Sequence, residues 1–246
     1  MSSSRFPGKP LEKILGIPMI GHVYYRSKLS EVLNDLYVAT CDNIIYDYIE
    51  SIGGKVVMTS DKHERAVDRT AEALKKIEQS IGKTFDIIVM LQGDEPMIVP
   101  EMIELAVQPL VNDSSIRVSN LMKKIETLKE WKDSNEVKVV VDNDNNALYF
   151  SREPIPSKKK YNGEITAYKQ VCVMPFRRKT LIEYFDLTPT PLEIIESVDM
   201  NRFLENDISV RMVPSEFNSF AVDTKEDLEF VERIMLKDSL IEYYKD

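Results

Sequence analysis

The sequence alternates short apolar runs with longer segments in which apolar residues recur at helical spacing. The runs at 36–40, 55–59 and 85–91 predict strands, and the segments 43–51 and 71–81 predict helices. The third run is apolar enough for a central strand that is buried on both faces. This alternation predicts an α/β fold with a mostly parallel sheet and helices on both faces. Ligands of such sheets bind at the carboxyl ends of the strands, so functional residues are expected there.

The second half of the sequence is less regular. Two apolar runs flank a polar Asn-Asp-Asn-Asn segment at 143–146 and predict a hairpin. The elements of this half are predicted as strands over 138–142, 147–151, 169–176 and 208–213, and as helices over 192–204 and from Thr224 to Leu236. The sequence has no evident internal repeat. We predict one domain over 1–246 with an inserted strand-rich arm at about 151–205.

Composition narrows the class of protein. A chain of 246 residues with 43% hydrophobic residues can bury a sizeable core. Its apolar runs fall short of the roughly 20 residues of a membrane span, and its amino terminus lacks the apolar region of a secretory signal. Cys41 and Cys172 have no CxxC spacing, so we expect neither a disulfide framework nor structural zinc, and a reducing cytoplasm fits best. The formal charge of −9 argues against nucleic acid as the main partner.

Two aspartates follow apolar runs. Asp94 closes the run at 85–91, and Asp223 closes the short stretch at 220–222 just before a predicted helix. Carboxylate oxygens are ligands that Mg²⁺ prefers, so the pair could hold this ion against a nucleotide phosphate if the two side chains converge. The alternatives are purely structural: Asp94 as a turn residue, and Asp223 as a helix cap together with Thr224.

Cationic side chains lie in two further segments. Residues 2–10 combine hydroxyl groups and a glycine with Arg5 and Lys9, a set that suits a triphosphate; the alternative is a disordered tail. Arg65 and Arg69 are four residues apart and share one face if the segment is helical. They could present guanidinium groups to a ligand, or simply begin a solvated helix. Zinc-protease and GxSxG acyl-transfer motifs are absent from the sequence.

Taken together, these stretches resemble the CMP-sugar synthetases of the 3-deoxy-manno-octulosonate (Kdo) cytidylyltransferase family. The matching stretches are collinear and span nearly the whole chain: RFPGKPL at Arg5, GIPMIGHVY at Gly16, VAT at Val38, GGKVVMT at Gly53, DRTAEA at Asp68, LQGDEPMI at Leu91, NEVKVVVD at Asn135, ALYFSREPIP at Ala147, TPLE at Thr190 and VDTKEDLE at Val222.

The resemblance implies a Rossmann-like nucleotide-diphospho-sugar transferase fold and a homodimer formed through the arm at 151–205. It also implies a reaction in which CTP and Mg²⁺ convert a 2-keto-3-deoxy sugar acid into its CMP-sugar with release of pyrophosphate. Such products serve the synthesis of surface polysaccharide or lipopolysaccharide. The implied partners are therefore CTP and an acidic sugar, with neither nucleic acid nor membrane among them.

The resemblance also assigns roles to individual residues. It implies Asp94 and Asp223 as Mg²⁺ ligands, and these two with Lys9 as the catalytic set. The residues implied to bind the nucleotide are Ser4, Arg5, Lys9, Asp68 and Arg69. The residues implied to bind the sugar are Gln92, Arg152, Gln170, Glu193, Glu196 and Asp199.

The sequence departs from the family pattern in three places. Members of the family usually begin with an apolar strand that ends in Pro-Ala-Arg, whereas this sequence starts within the following serine-rich loop. Because a central strand is buried on both faces, we expect a chain extended upstream to be more stable and more active. The other departures are Glu64 to Val67, where Gln-Ser-Gly-Thr is common, and Gln170 and Ile194, where histidines are usual.

The second and third departures fall near the implied nucleotide and sugar sites and therefore bear on the identity of the sugar. Kdo or a modified octulosonate, for example an amino-substituted one, is the leading expectation. A synthetase for a nine-carbon, sialic-type acid and a non-catalytic nucleotide-binding homologue are the alternatives.

Overall fold

The structure is a computed structural model that describes residue 6 and residues 8–245. The predicted phosphate-loop residues Ser4 and Arg5 lie outside the described residues. The described strands are β1 (Lys13–Ile14), β2 (Ile17–Pro18), β3 (Tyr37–Thr40), β4 (Lys55–Met58), β5 (Ile87–Leu91), β6 (Val118–Lys124), β7 (Lys138–Val141), β8 (Ala147–Ser151), β9 (Tyr168–Val171), β10 (Val173–Arg177) and β11 (Val210–Pro214). The described α-helices are α1 (Met19–Lys28), α2 (Asn43–Ser51), α3 (Ala66–Ile81), α4 (Pro100–Asn112), α5 (Leu128–Lys132), α6 (Arg178–Asp186), α7 (Pro191–Glu196), α8 (Asp199–Leu204) and α9 (Lys225–Met235). None of the helices in this described part is both long and apolar enough to cross a bilayer.

A seven-stranded sheet organises the molecule. Its order is β5-β10-β6-β9-β7-β8, with β11 paired to the other edge of β6. Strands β9 and β10 are separated only by Cys172, and both pair with β6. On their opposite side, β10 pairs with β5 and β9 pairs with β7. The interruption at Cys172 thus lets one stretch of chain join two parts of the sheet.

The direction of the strands differs from the expected mostly parallel sheet. Among the described pairings, only β6 with β11 and β3 with β4 are parallel. The pairings of β5, β7, β8, β9 and β10 are antiparallel, and among them only β7 and β8 are joined by a hairpin. The stretch predicted as an arm, 151–205, contains β9 and β10, which are inner members of this sheet, an irregular segment at 152–167, and the helices α6, α7 and α8. The apolar run at 169–176 is therefore core and not a separate strand-rich projection.

Helices cover both faces of the sheet next to β5. Met90 packs in one cluster with Val67, Ala71 and Leu74 of α3. The neighbouring side chains Val89 and Leu91 pack on the opposite face in a cluster with α4. Successive side chains of a strand point to opposite faces of a sheet. Strand β5 therefore lies between two helical layers, with α3 on one face and α4 on the other.

A gap divides the strands near β5 into two groups. Strands β3 and β4 pair only with each other among the described strands, and β5 is an edge strand of the seven-stranded sheet. A cavity of about 950 Å³ lies between β3 and β5 and is lined by both strands and by side chains of α1, α3 and α4. We call this cavity the interstrand slot. Its apolar lining residues Val38, Ala39, Ile87 and Val89 are only half-buried.

We expect an apolar strand of about five residues, joined to the amino end of the chain, to raise the melting temperature by about 5 °C or more. The reason is that the interstrand slot offers two strand edges and apolar side chains on both faces. Differential scanning calorimetry of the extended and the 246-residue chains checks this. An extension of equal length with a central proline, which cannot donate a ladder hydrogen bond, is the control. Equal melting temperatures for all three chains would contradict the expectation.

Candidate active site

Three predicted residues from distant parts of the sequence meet at the carboxyl end of β5. The Lys9 Nζ lies 2.7 Å from Asp94 Oδ2 and 3.2 Å from Asp223 Oδ1. The Lys9 side chain is 10% exposed, and the two carboxylates are about a quarter exposed. The convergence that the sequence analysis required of Asp94 and Asp223 is therefore present.

The loop that carries Lys9 is held by local structure. Gly8 has φ 78°, a left-handed conformation that an L side chain adopts only with strain. The next residues form a single 3₁₀ turn over Lys9–Leu11. Phe6 is buried in a cluster with Val222, the residue before Asp223. The loop is thus packed directly against the segment that supplies the second carboxylate.

The two aspartates are positioned by different means. Asp94 lies in the turn that follows β5. Asp223 precedes α9, whose capping box joins Thr224 and Asp227, and the Asp223 N–H donates to Asp227 Oδ2 at 3.0 Å. The Val222 N–H donates to the Asp94 carbonyl oxygen at 2.9 Å. A backbone hydrogen bond therefore joins the two carboxylate-bearing segments.

The two carboxylates stabilise the charged form of Lys9. Burial lowers the pKa of Lys9, but the charges of Asp94 and Asp223 and their hydrogen bonds outweigh this effect, so the pKa lies above its ordinary value. Lys9 therefore stays protonated. Its single positive charge is shared between the two carboxylates, and a ligand that competes with them can also bind it.

The same residues fit a magnesium ion. Asp94 Oδ1 is buried and has no hydrogen-bond partner within the described chain. A buried carboxylate oxygen without a donor is a suitable ligand for a hard cation. The described residues contain no group of three or more side chains of the His, Cys, Asp or Glu type that could bind a metal by themselves. The donor set therefore suits Mg²⁺, which commonly uses one or two carboxylates together with water and substrate phosphates.

If the predicted reaction takes place here, replacing Lys9 with methionine is expected to lower turnover by about 10²-fold, since a buried cation that binds phosphate oxygens contributes on this scale. Methionine preserves the apolar stem but leaves Asp94 and Asp223 without their shared counter-charge. Steady-state pyrophosphate release measures the effect. Lys225→Met, at the exposed start of α9, is the control and is expected to turn over normally. Full activity of the Lys9 variant would exclude the catalytic role predicted for this lysine.

Further polar side chains line the interstrand slot. Among the predicted residues, these are Gln92 and Asp94 at the end of β5, together with Lys9, Arg69 and Asp199. Arg69 donates to Thr59 Oγ1 at 2.5 Å and to the Ser60 carbonyl at 3.1 Å, which fixes its guanidinium group after β4. Gln92 and Asp94 are neighbours in the same turn. The slot thus combines an apolar interior with a charged set of residues that can face an anionic ligand.

Asp199 has an altered ionisation. Burial raises its pKa to about 6, although the Val67 N–H and the Arg65 guanidinium act in the opposite direction. The Val67 N–H donates to Asp199 Oδ2 at 3.0 Å. Arg65, which the sequence analysis considered but did not assign, also lines the slot, and its Nη1 donates to Ser197 Oγ at 2.6 Å. The four-residue spacing between Arg65 and Arg69 was the sequence feature that pointed to Arg65 as a possible ligand-binding residue.

Asp68 and Glu193 lie in a buried ion-pair cluster, and their roles toward the nucleotide and the sugar stay predictions. Both carboxylates bind the buried guanidinium group of Arg202. Arg202 Nε and Nη2 donate to Glu193 at 2.6 Å each, and Nη1 and Nη2 donate to Asp68 at 2.9 and 3.1 Å. Neither acid lines the slot. No motif marks Arg202 in the sequence, so its pairing with these two acids was not predicted.

The remaining predicted sugar residues, Arg152, Gln170 and Glu196, lie outside the slot. Glu196 Oε2 accepts the Arg152 N–H at 2.8 Å, and Glu196 Oε1 accepts the Tyr149 and Ser151 hydroxyls at 2.7 and 2.9 Å. Gln170 Nε2 donates to Asn120 Oδ1 at 2.6 Å. The structure brings Arg152 and Glu196 together, but none of Arg152, Glu196 and Gln170 lines the slot. Their role toward the sugar stays a prediction.

Comparison with known proteins finds relatives that match most of the chain. A family model described as cytidylyltransferase matches residues 1–212. A 3-deoxy-manno-octulosonate cytidylyltransferase of Geobacter metallireducens is 41% identical over 240 residues, which cover 94% of this chain and 92% of that protein. A solved structure of CMP:2-keto-3-deoxy-manno-octonic acid synthetase complexed with CTP has a TM-score of 0.87 at 36% identity and covers 96% of this chain and 95% of that one.

A more distant structure supports the fold alone. The 4-diphosphocytidyl-2C-methyl-D-erythritol synthase from Anaerococcus prevotii has a TM-score of 0.61 at 13% identity, with 95% of each chain covered. The predicted α/β nucleotidyltransferase fold is confirmed by these likenesses, with the strand directions given above. The family match over most of the sequence, together with the residues that meet at Lys9, shows that the chain belongs to the cytidylyltransferase family.

Proposed function

We propose that this protein uses CTP to activate Kdo or a closely related 2-keto-3-deoxy sugar acid, giving a CMP-sugar and pyrophosphate. The observation that carries the proposal is the meeting of Lys9, Asp94 and Asp223 at the end of β5. The name of the 41% identical relative and the CTP complex of the 36% identical structure support the choice of substrates. A product of this kind suits the synthesis of surface polysaccharide or lipopolysaccharide, and the use of CTP fits the expected cytoplasmic location.

The reaction is a nucleotidyl transfer. The anomeric hydroxyl oxygen of the sugar forms a bond to the α-phosphorus of CTP, and the bond from that phosphorus to the bridging oxygen of the β-phosphate breaks. The hydroxyl proton leaves to solvent or to a nearby base, and the bond electrons leave with pyrophosphate. Because charge on the phosphate oxygens changes during this transfer, catalysis depends on positioning and on neutralising that charge.

The residues at the site supply these needs. Lys9 donates hydrogen bonds from a buried, fully charged ammonium group, which suits the oxygens of the triphosphate. Asp94 and Asp223 would hold Mg²⁺. When bound, this ion supplies positive charge that polarises the α-phosphate and stabilises the leaving pyrophosphate. Arg69 and Arg65 line the same slot and place two guanidinium groups where an anionic substrate would enter.

Pyrophosphate release from CTP in the presence of Kdo and Mg²⁺ tests the proposal. A coupled phosphate assay should give turnover that requires all three components. Binding of CTP without any release would favour the alternative of a non-catalytic nucleotide-binding homologue. Absence of both would refute the proposed activity.

The identity of the sugar is tested with a panel of acids. Kdo, an amino-substituted octulosonate and a nine-carbon sialic-type acid should be compared by kcat/KM under identical CTP and Mg²⁺ conditions. We expect the eight-carbon acids to be preferred by about 10²-fold or more, because a site built to hydrogen-bond a substrate discriminates on this scale. Preference for the nine-carbon acid would assign the chain to the alternative specificity. Equal rates with Kdo and its amino-substituted form would remove the preference for a modified octulosonate.

We also propose a homodimer formed through α7 and β8. Leu148 of β8 is 62% exposed, and Ile194 and Ile195 of α7 are 59% and 75% exposed. Glu196 at the end of α7 accepts hydrogen bonds from Tyr149 and Ser151 of β8, so these apolar side chains lie on adjoining elements. Exposed apolar groups of this kind are typical of an interface.

Replacing Leu148 and Ile195 together with aspartate is expected to give a monomer, because the charges would be buried in the interface without partners. Multi-angle light scattering at working concentration measures the mass. Leu236→Asp introduces the same charge at a similarly exposed apolar position after α9 and is expected to leave the dimer intact. A monomeric wild-type protein would refute the proposed dimer.

A further inference from the structure

The second carboxylate of the active site lies on a segment without regular secondary structure. Residues 215–224 connect β11 to α9 and form neither helix nor strand. A loop does not by itself fix a side chain to the accuracy that a shared cation site needs. The position of Asp223 relative to Asp94 must therefore depend on contacts from outside this segment.

Glu95 makes the side-chain contact that joins this segment to the turn after β5. It directly follows Asp94, and its side chain points away from the slot into the interior, where the residue is 7% exposed. Its Oε2 accepts a hydrogen bond from the hydroxyl of Ser219, four residues before Asp223. Its Oε1 accepts the N–H of Cys172 at 3.3 Å, at the interruption between β9 and β10. One carboxylate thus connects the turn, the central sheet and the loop.

Two hydrogen bonds join the loop to Asp94 and Glu95. Ser219 binds the Glu95 side chain, and the Val222 N–H binds the Asp94 carbonyl oxygen at 2.9 Å. Asp223 follows at once, so the part of the loop just before it is fastened at two points to the residues 94 and 95. No ion pair to a cation is present at Glu95 among the described residues, so neutralisation of a neighbouring charge does not explain this buried acid.

We propose that Glu95 is a positioning residue, which through Ser219 sets the separation of Asp94 and Asp223 and thereby the affinity of the site for a divalent cation. Glu95 does not line the slot and is not assigned contact with a substrate. The inference rests on the proposed function, since it concerns the cation that these two aspartates would hold.

Binding of Mn²⁺ alone, followed by loss of the free-ion electron paramagnetic resonance signal, tests the inference without requiring turnover. We expect Glu95→Ala to raise the Kd for Mn²⁺ by about 10-fold and Ser219→Ala to raise it by about 3-fold. The double variant should match Glu95→Ala, since both changes remove the same connection. Additive effects, or an unchanged Kd in Glu95→Ala, would overturn the inference.

Two further variants separate positioning from charge and from general stability. Glu95→Gln loses the negative charge but retains an acceptor for the Cys172 N–H and an amide donor toward Ser219, so its Kd should stay within about 2-fold of the wild type. If Glu95→Gln binds as weakly as Glu95→Ala, the effect is one of charge and the inference fails. Glu78→Ala removes another buried glutamate, which pairs with Arg178, and should lower the melting temperature without changing the Kd for Mn²⁺.

The wild-type titration distinguishes failure of this inference from failure of the proposed function. If the folded wild-type protein does not bind Mn²⁺, the cation site and the positioning role are both refuted. If the wild type and Glu95→Ala bind Mn²⁺ with the same Kd, only the positioning role is refuted. The proposed reaction then stays in place.

Discussion

Replacing Asp94 or Asp223 with asparagine is expected to lower pyrophosphate release by about 10³-fold or more while the fold is retained. Asparagine has nearly the same shape as aspartate but carries no negative charge, so it is a poor ligand for Mg²⁺. It also removes one of the two carboxylates that face Lys9. Steady-state assays with saturating CTP and sugar, together with circular dichroism and melting curves, measure activity and folding separately.

Asp47→Asn provides the matched control, because Asp47 is an exposed carboxylate on α2. We expect this variant to turn over at the wild-type rate. If either Asp94→Asn or Asp223→Asn reached near-normal turnover, the assignment of these residues as metal ligands would be wrong. If either variant failed to fold, its activity would carry no information, and Asp94→Glu, which keeps the charge, would then decide.

Replacing Arg202 with methionine is expected to lower the free energy of unfolding by about 3–5 kcal/mol and the melting temperature by about 10 °C. Arg202 is 1% exposed and is the shared partner of Asp68 and Glu193. Glu193 is fully buried, so removal of the Arg202 guanidinium group leaves its charge with only the longer ion pair to Arg65, at 3.4 Å. Denaturant titration and calorimetry measure the change.

A combined variant tests the cause of this loss. When Arg202→Met is accompanied by Asp68→Asn and Glu193→Gln, no uncompensated charge remains, and most of the lost stability should return. Arg233→Met, at an exposed position on α9, controls for the loss of an arginine. A melting temperature of Arg202→Met within about 2 °C of the wild type would show that the buried ion pairs contribute little to stability.

The sequence predicted the parts of the fold in which local pattern and burial agree. The helix at Asn43–Ser51 and the strands at Lys55–Met58 and Ala147–Ser151 lie within a residue of their predicted bounds. The predicted helix over 192–204 is split, since Ser197 adopts φ 55° and ends α7. The elements α1, α4 and β6 were not predicted. Pro109 within α4 and the polar residues of β6 obscure the periodicity on which such predictions depend.

The active site was predictable to the extent that strand ends determine it. Asp94 follows β5 as predicted and meets Asp223 at Lys9, but residues 215–224 form no strand, so contacts with Lys9, α9 and the Asp94 backbone position Asp223 instead of a strand end. The partners of Asp68 and Glu193 were not predictable in this way. They depend on Arg202, which lies 134 positions from Asp68 along the chain and contacts it only because the tertiary fold brings α8 close to the first turn of α3. Sequence pattern alone does not specify a contact of this kind.

The gap between β3 and β5 has a consequence for cooperativity. The unit β3-α2-β4 has no strand-to-strand hydrogen bonds to the seven-stranded sheet among the described residues, and it adjoins the rest of the protein mainly through side-chain packing on α1 and α3. Such a unit can open locally at a lower free energy than global unfolding, and its amides should exchange with deuterium earlier than those of β6 or β10. Because Arg69 is anchored to Thr59 at the end of β4, a ligand that binds both Arg69 and Asp94 would bridge the two units and suppress this opening.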